Sequence, residues 1–171
     1  MSHYVVAVFT TDDGQSVDDL LAPYEEKTGN PNSKWDWYEI GGRWKNELLL
    51  KDKTQCDVAL VSDIDFEAMR KRDAAELDMY EDAMQNSLMK EEYMRKRFRN
   101  EEEYIKLCTT FATFAVVTPD GKWHAEGEMG MFGLSFATPE EERAWTHSYH
   151  EQFIKPALEN GWRMTIVDCH I

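Results

Sequence analysis

The chain has 171 residues, of which 19 are basic and 33 acidic, giving a net charge of −14; 42% are hydrophobic and 12% aromatic. That length suits one domain over residues 1–171 with a real core, and the composition excludes a disordered chain. No apolar run approaches a membrane span, and the charge opposes direct binding of nucleic acid or anionic lipid.

Met1-Ser2-His3-Tyr4 runs straight into an apolar segment with no basic n-region, so no signal peptide is expected and a cytoplasmic location follows. Cys56, Cys108 and Cys169 are odd in number and far apart, which predicts reduced thiols.

Tyr4 to Thr10 is β-branched and aromatic and predicts a central strand, ended by Thr11-Asp12-Asp13-Gly14. Ser16 to Leu21 predicts a helical turn, and Pro23 interrupts it. The runs Trp35–Ile40 and Arg43–Leu50 flank Gly41-Gly42 and predict a tight hairpin, because glycine alone enters positive φ cheaply at both turn positions. Ser62 or Asp63 opens a long helix, with an apolar stripe at Leu77, Tyr80, Met84, Leu88, Met94 and Phe98. Asn100 caps a further helix to about Leu107. Phe111–Val117 predicts a second core strand, turning at Thr118-Pro119-Asp120-Gly121 into a hairpin partner. Gly127, Gly130 and Gly133 loosen the backbone around Met129, Met131 and Phe132. Thr138-Pro139-Glu140-Glu141 opens a helix whose inner face is Trp145, Tyr149 and Phe153. Pro156 kinks it, Gly161 ends it, and Trp162–Cys169 predicts the last strand. This order predicts an α+β fold: a mainly antiparallel sheet, with the long helix and the C-terminal helix packed on one face.

Two clusters carry candidate chemistry. Trp35, Asp36, Trp37, Tyr38, Arg43 and Trp44 surround the Gly-Gly pair; their aromatic faces can stack on a base, and arginine can grip phosphate through two N–H groups. The same side chains also suit hairpin packing, with Arg43 paired to Asp36 or Glu39. At the C-terminus, strand alternation puts Asp168 and His170 on one face, where Asp168 can orient His170; beside the first strand, His3 comes near. His147 and Glu151 share a helix face but lack a metal-site pattern, while Glu126 and Glu128 flank His124. No cofactor motif and no metal-ligand spacing is present, so neither is expected. The N-terminal acids Asp12, Asp13, Asp18, Asp19, Glu25 and Glu26 face only Lys27 and Lys34 in their region. They form a candidate surface for a partner protein with a basic, nucleic-acid-binding face.

The segments Leu21-Ala22-Pro23-Tyr24, Lys34–Trp44, Asp63–Met69, Thr118–Trp123, Gly127–Gly130 and Val167–Ile171 resemble a family of short uncharacterised bacteriophage and mobile-element proteins. The tryptophan/Gly-Gly-Arg segment and the Asp-Cys-His ending are its specific marks. The resemblance implies a phage accessory role in a bacterial host, and with the acidic charge the preferred reading is a non-enzymatic counter-defence inhibitor of the anti-CRISPR or DNA-mimic kind. It brings no catalytic residue. The alternative is a nucleotide- or phosphate-ligand-binding protein, or a small hydrolase, built on Trp35–Trp44, Asp168 and His170.

Overall fold

A computed structural model describes residues 2–128 and 135–171. Gly130, Gly133, Met129, Met131 and Phe132 lie outside these described residues.

The two long strands are buried almost along their whole length. β1 (His3–Thr10) pairs antiparallel along its whole length with β8 (Arg163–His170), so both are buried on two faces. On its other side β1 pairs in parallel with β6 (Ala115–Val117), which turns into β7 (Trp123–Ala125). The outer edge of β8 carries β2 (Trp37–Ile40) at one end and β5 (Val58–Leu60) at the other. The three predicted inner strands are thus inner strands, and the class is α+β with a mostly antiparallel sheet. β6 is shorter than expected: only Ala115–Val117 of the run from Phe111 joins the ladder.

One face of the sheet presents Ala7, Phe9, Met164 and Ile166 to Met69 of α2 (Phe66–Glu76). It also meets Tyr149, Phe153, Ile154 and Ala157, from the C-terminal helical segment. That segment runs from α6 (Pro139–Tyr149) through a widened π-helical turn, His150–Ile154, into α7 (Lys155–Asn160). Thr138 and Glu141 cap it reciprocally, satisfying donors that the helix leaves open. The opposite face packs Tyr4, Val6, Val8, Val167 and Cys169 under Leu20 and Leu21 from α1 (Val17–Leu21) and under Trp35.

Two expectations are corrected. The predicted long helix is α2 followed by two separate helices, α3 (Tyr80–Asn86) and α4 (Glu91–Arg97), with extended backbone at Leu77 and Ser87. With α5 (Glu101–Thr109) these bury Met84, Phe98, Tyr104 and Leu107 in a small core of their own, while Leu88 of the supposed stripe is fully exposed. Helices that fold back on each other bury such apolar residues better than one straight helix. The first helix is capped by Asp65, which accepts from the Ala68 amide, instead of by Ser62 or Asp63.

The Gly41-Gly42 hairpin does not form either. β2 pairs with β8, Gly42–Trp44 is a tight 3-10 turn, and Leu48–Leu49 (β3) pairs with Gln55–Cys56 (β4). Both glycines do have positive φ, 74° and 50°. The reason is close packing, because Gly41 lies against the Asp57 carboxylate and Gly42 against Asp168. All three cysteines are free thiols. Among the described residues no helix is long and apolar enough to cross a membrane.

Candidate functional site

Strand register assembles the site. His3 of β1, His170 of β8 and Trp37 of β2 are direct cross-strand partners, so three adjacent strands place their side chains in one row on one face. The next row on that face is Val5, Asp168 and Glu39.

Two carboxylate–imidazole pairs result. His3 Nδ1 lies 2.8 Å from Asp168 Oδ1, and His170 Nδ1 lies 2.5 Å from Asp36 Oδ1. An ionised carboxylate only accepts, so each Nδ1 carries the proton and donates it. In the neutral form of each ring, Nε2 then carries a lone pair. Asp168 is 2% exposed, and its second oxygen accepts the Arg43 amide at 3.0 Å. Asp36 also donates its own amide to the His170 carbonyl at 2.9 Å, which clamps it to the end of β8.

The imidazole rings are 5.1 Å apart at 73°. Trp37 stacks on His170, at 5.2 Å and 18°, and meets His3 edge-on. His170 is 6% exposed, and its Nε2 is buried without a hydrogen-bond partner among the described residues. Leaving such an atom unpaired costs about 1–3 kcal/mol.

The expected residues therefore converge in part. Asp36, Trp37, Asp168 and His170 form the cluster. Asp168 orients His3, which corrects the expected Asp168–His170 pairing; His170 takes Asp36 instead. Arg43 reaches the site through its backbone amide, while its exposed side chain pairs with neither Asp36 nor Glu39. Trp35 and Tyr38 pack together on the other face, where Trp35 Nε1 donates to the Leu21 carbonyl. Trp44 turns toward a cleft of about 570 Å3, lined also by Val5, Lys45, Asn46, Glu47 and Arg72. Val5 follows His3 along that face and is opposite Asp168, but neither imidazole lines the cleft. A larger cavity of about 700 Å3, bordered by Tyr4, Lys34, Trp123 and Glu126, lies on the other side of the sheet.

No protein-family model, curated protein or solved structure matches this chain. The site is therefore interpreted from its own geometry. Its neglected member is His3, which sequence reading placed near the cluster only through the pairing of the first and last strands.

Elsewhere, Glu126 lies half-buried, and burial followed by the nearby Glu142 raises its carboxyl above the usual range. Burial lowers His124, whose Nε2 is 3.2 Å from the Thr118 hydroxyl. His147 approaches Glu103 at 3.7 Å, and Glu151 pairs with Lys155. Among the described residues no three His, Cys, Asp or Glu side chains gather as a metal set. The N-terminal acids are mostly exposed, but several have local partners. Asp13 accepts from Thr11, Asp18 from Tyr38, Asp19 from Ser16, and Glu25 pairs with Lys27.

Proposed function

We propose that the chain is a small hydrolase whose reaction centre is the His3–His170 pair. The carrying observation is the pair of imidazoles, each fixed through Nδ1 by its own carboxylate and each left with a free Nε2. Rings anchored in this way present lone pairs in a set direction, where they bind and polarise an attacking water. Trp37 is 43% exposed and offers a flat apolar wall beside that water, and Arg43, whose side chain has no partner among the described residues, offers a cation for a phosphate-bearing substrate such as a nucleotide.

The test is a turnover screen of phosphomonoesters, phosphodiesters, nucleotides and carboxylic esters with the full chain. His3→Ala and His170→Ala should each lower turnover about 100-fold or more. Absence of turnover in the wild type, or turnover indifferent to both substitutions, overturns the hydrolase.

A second function is supported by a different observation: Asp12, Asp13, Asp18, Asp19 and Glu26 are all exposed along one stretch of chain. It is the phage accessory role, in which this acidic surface binds the basic face of a host nucleic-acid-handling protein and inhibits it.

A further inference from the structure

We infer that the cross-strand histidine pair is a binding site for a first-row divalent transition-metal ion, with zinc as the defining probe. Three independent features of the cluster lead there.

The first is distance. An ion held tetrahedrally by two imidazole Nε2 atoms at about 2.0–2.1 Å sets the two ring centres about 5.2 Å apart. The observed separation of His3 and His170 is 5.1 Å, with the rings turned 73° to one another. No strand has to move, because His3 and His170 are already register partners on paired strands.

The second is the hydrogen bonding behind each ring. A carboxylate on Nδ1 fixes the tautomer that leaves Nε2 as the donor atom, and it raises the basicity of that nitrogen. Here both rings have one, Asp168 for His3 and Asp36 for His170. The His170 Nε2 lone pair is buried with no partner among the described residues, so an ion would satisfy it.

The third is charge. Asp36 and Asp168 hydrogen-bond to the imidazoles, Glu39 lies in the next row opposite Asp168, and among the described residues no Lys or Arg side chain pairs with any of them. A divalent cation offsets this charge. The ligand set, two imidazoles with carboxylates behind them, favours zinc, nickel or copper over magnesium or calcium. The remaining coordination positions would take water or a ligand oxygen, as in an open zinc site.

Metal binding does not depend on the hydrolase proposal. Only the role of the ion as carrier of the attacking water rests on it.

The test is calorimetric titration of the chelator-treated full chain with zinc chloride at neutral pH, with no substrate present. One saturable equivalent is expected. His3→Gln and His170→Gln should each abolish it, Asp168→Asn should weaken it about 10–100-fold, and the surface control His147→Ala should bind as the wild type does. Circular dichroism checks that each variant is folded, and should His170→Gln unfold, His3→Gln and cobalt absorption spectra decide. The absence of a saturable equivalent up to millimolar zinc overturns the inference. So does binding that survives His3→Gln, or binding that His147→Ala removes. Zinc binding without turnover leaves the metal site standing and removes the hydrolase. Turnover in excess chelator leaves the hydrolase standing and removes the role of the ion as carrier of the attacking water.

Discussion

Gly42→Ala tests whether the Gly42–Trp44 turn is what holds Asp168 in place. An added Cβ would fall 2.4 Å from Asp168 Cβ and 2.5 Å from Oδ2. The Cβ is fixed to the backbone of β8, which is held on both sides by β1 and β2, so it cannot retreat as the tip of a flexible side chain would. Two costs follow. Alanine at φ 50° loses about 1–2 kcal/mol from backbone sterics. Displacing the turn breaks the Arg43 amide bond to the Asp168 carboxylate, a charged hydrogen bond contributing about 1.5–3 kcal/mol. The sum is about 2.5–5 kcal/mol. Gly121 is the internal control: its φ is 78°, but nothing lies within 4 Å of an added Cβ, so Gly121→Ala should cost only the steric part, about 1–2 kcal/mol. Urea unfolding followed by circular dichroism, with linear extrapolation, resolves the difference of about 1.5–3 kcal/mol. Nuclear magnetic resonance adds a local readout, since the His3 Nδ1 proton should shift in Gly42→Ala and not in Gly121→Ala. Equal losses of stability in the two variants would refute the reasoning.

Glu126→Gln should raise the melting temperature at pH 7 and leave it unchanged at pH 3.5. The folded carboxyl is raised above its ordinary value by burial, so the folded state holds the proton more tightly than the unfolded chain. Its penalty is absent below the ordinary carboxylate range, grows as pH rises toward the folded value, and stays constant above it; a melting-temperature gain that ignores pH would refute this. For the acidic surface, reversing Asp12, Asp13 and Glu26 to lysine should weaken capture of a basic partner, and raising salt should weaken capture by the wild type. Exposed charges are screened beyond about 8 Å at physiological ionic strength. Surface plasmon resonance across a salt series checks it, and binding indifferent to both changes would remove the mimic.

What the sequence disclosed divides along a physical line. Signals held in one local segment were legible. Thr138-Pro139-Glu140-Glu141 and Asn100 supply their own capping atoms, and β1 is apolar from Tyr4 to Phe9 because both of its faces are covered. Choices made between distant segments were not legible. The run at Trp37–Ile40 has strand character, but its partner is more than 120 residues away, at Val167–His170, and local turn chemistry pointed to a nearer one. The apolar spacing from Leu77 to Phe98 fits one helix or several folded together, and only burial of Met84 and Phe98 against Tyr104 selects the second.

The crossed pairing of the dyads follows from the same cause. Alternation correctly put Asp168 and His170 on one face, but residues two apart on a strand are about 6.5–7 Å apart, whereas cross-strand partners are about 4.5–5.5 Å apart. Each carboxylate therefore finds an imidazole across a strand boundary or along the incoming chain. Asp36 arrives beside His170 as the chain enters β2, and Asp168 reaches diagonally to His3.

Charge bears on what this site can hold. Asp36, Asp168 and Glu39 make an anionic corner, and the only direct tie from Arg43 to it is a backbone amide. A phosphate placed there against carboxylates alone would be repelled, and a single mobile arginine at the rim is a weak counterweight. A divalent ion between the imidazoles would offset most of this charge and put a positive centre beside the rings, while leaving Asp36 and Asp168 in hydrogen bonds to them. The acids then become part of the cation's support, and Arg43 and the exposed face of Trp37 are left for the ligand. A strongly acidic chain and a phosphate-bearing substrate are compatible on those terms, because the attraction is local to an ion within a few ångströms while the net charge of −14 is spread over the whole surface and screened by salt.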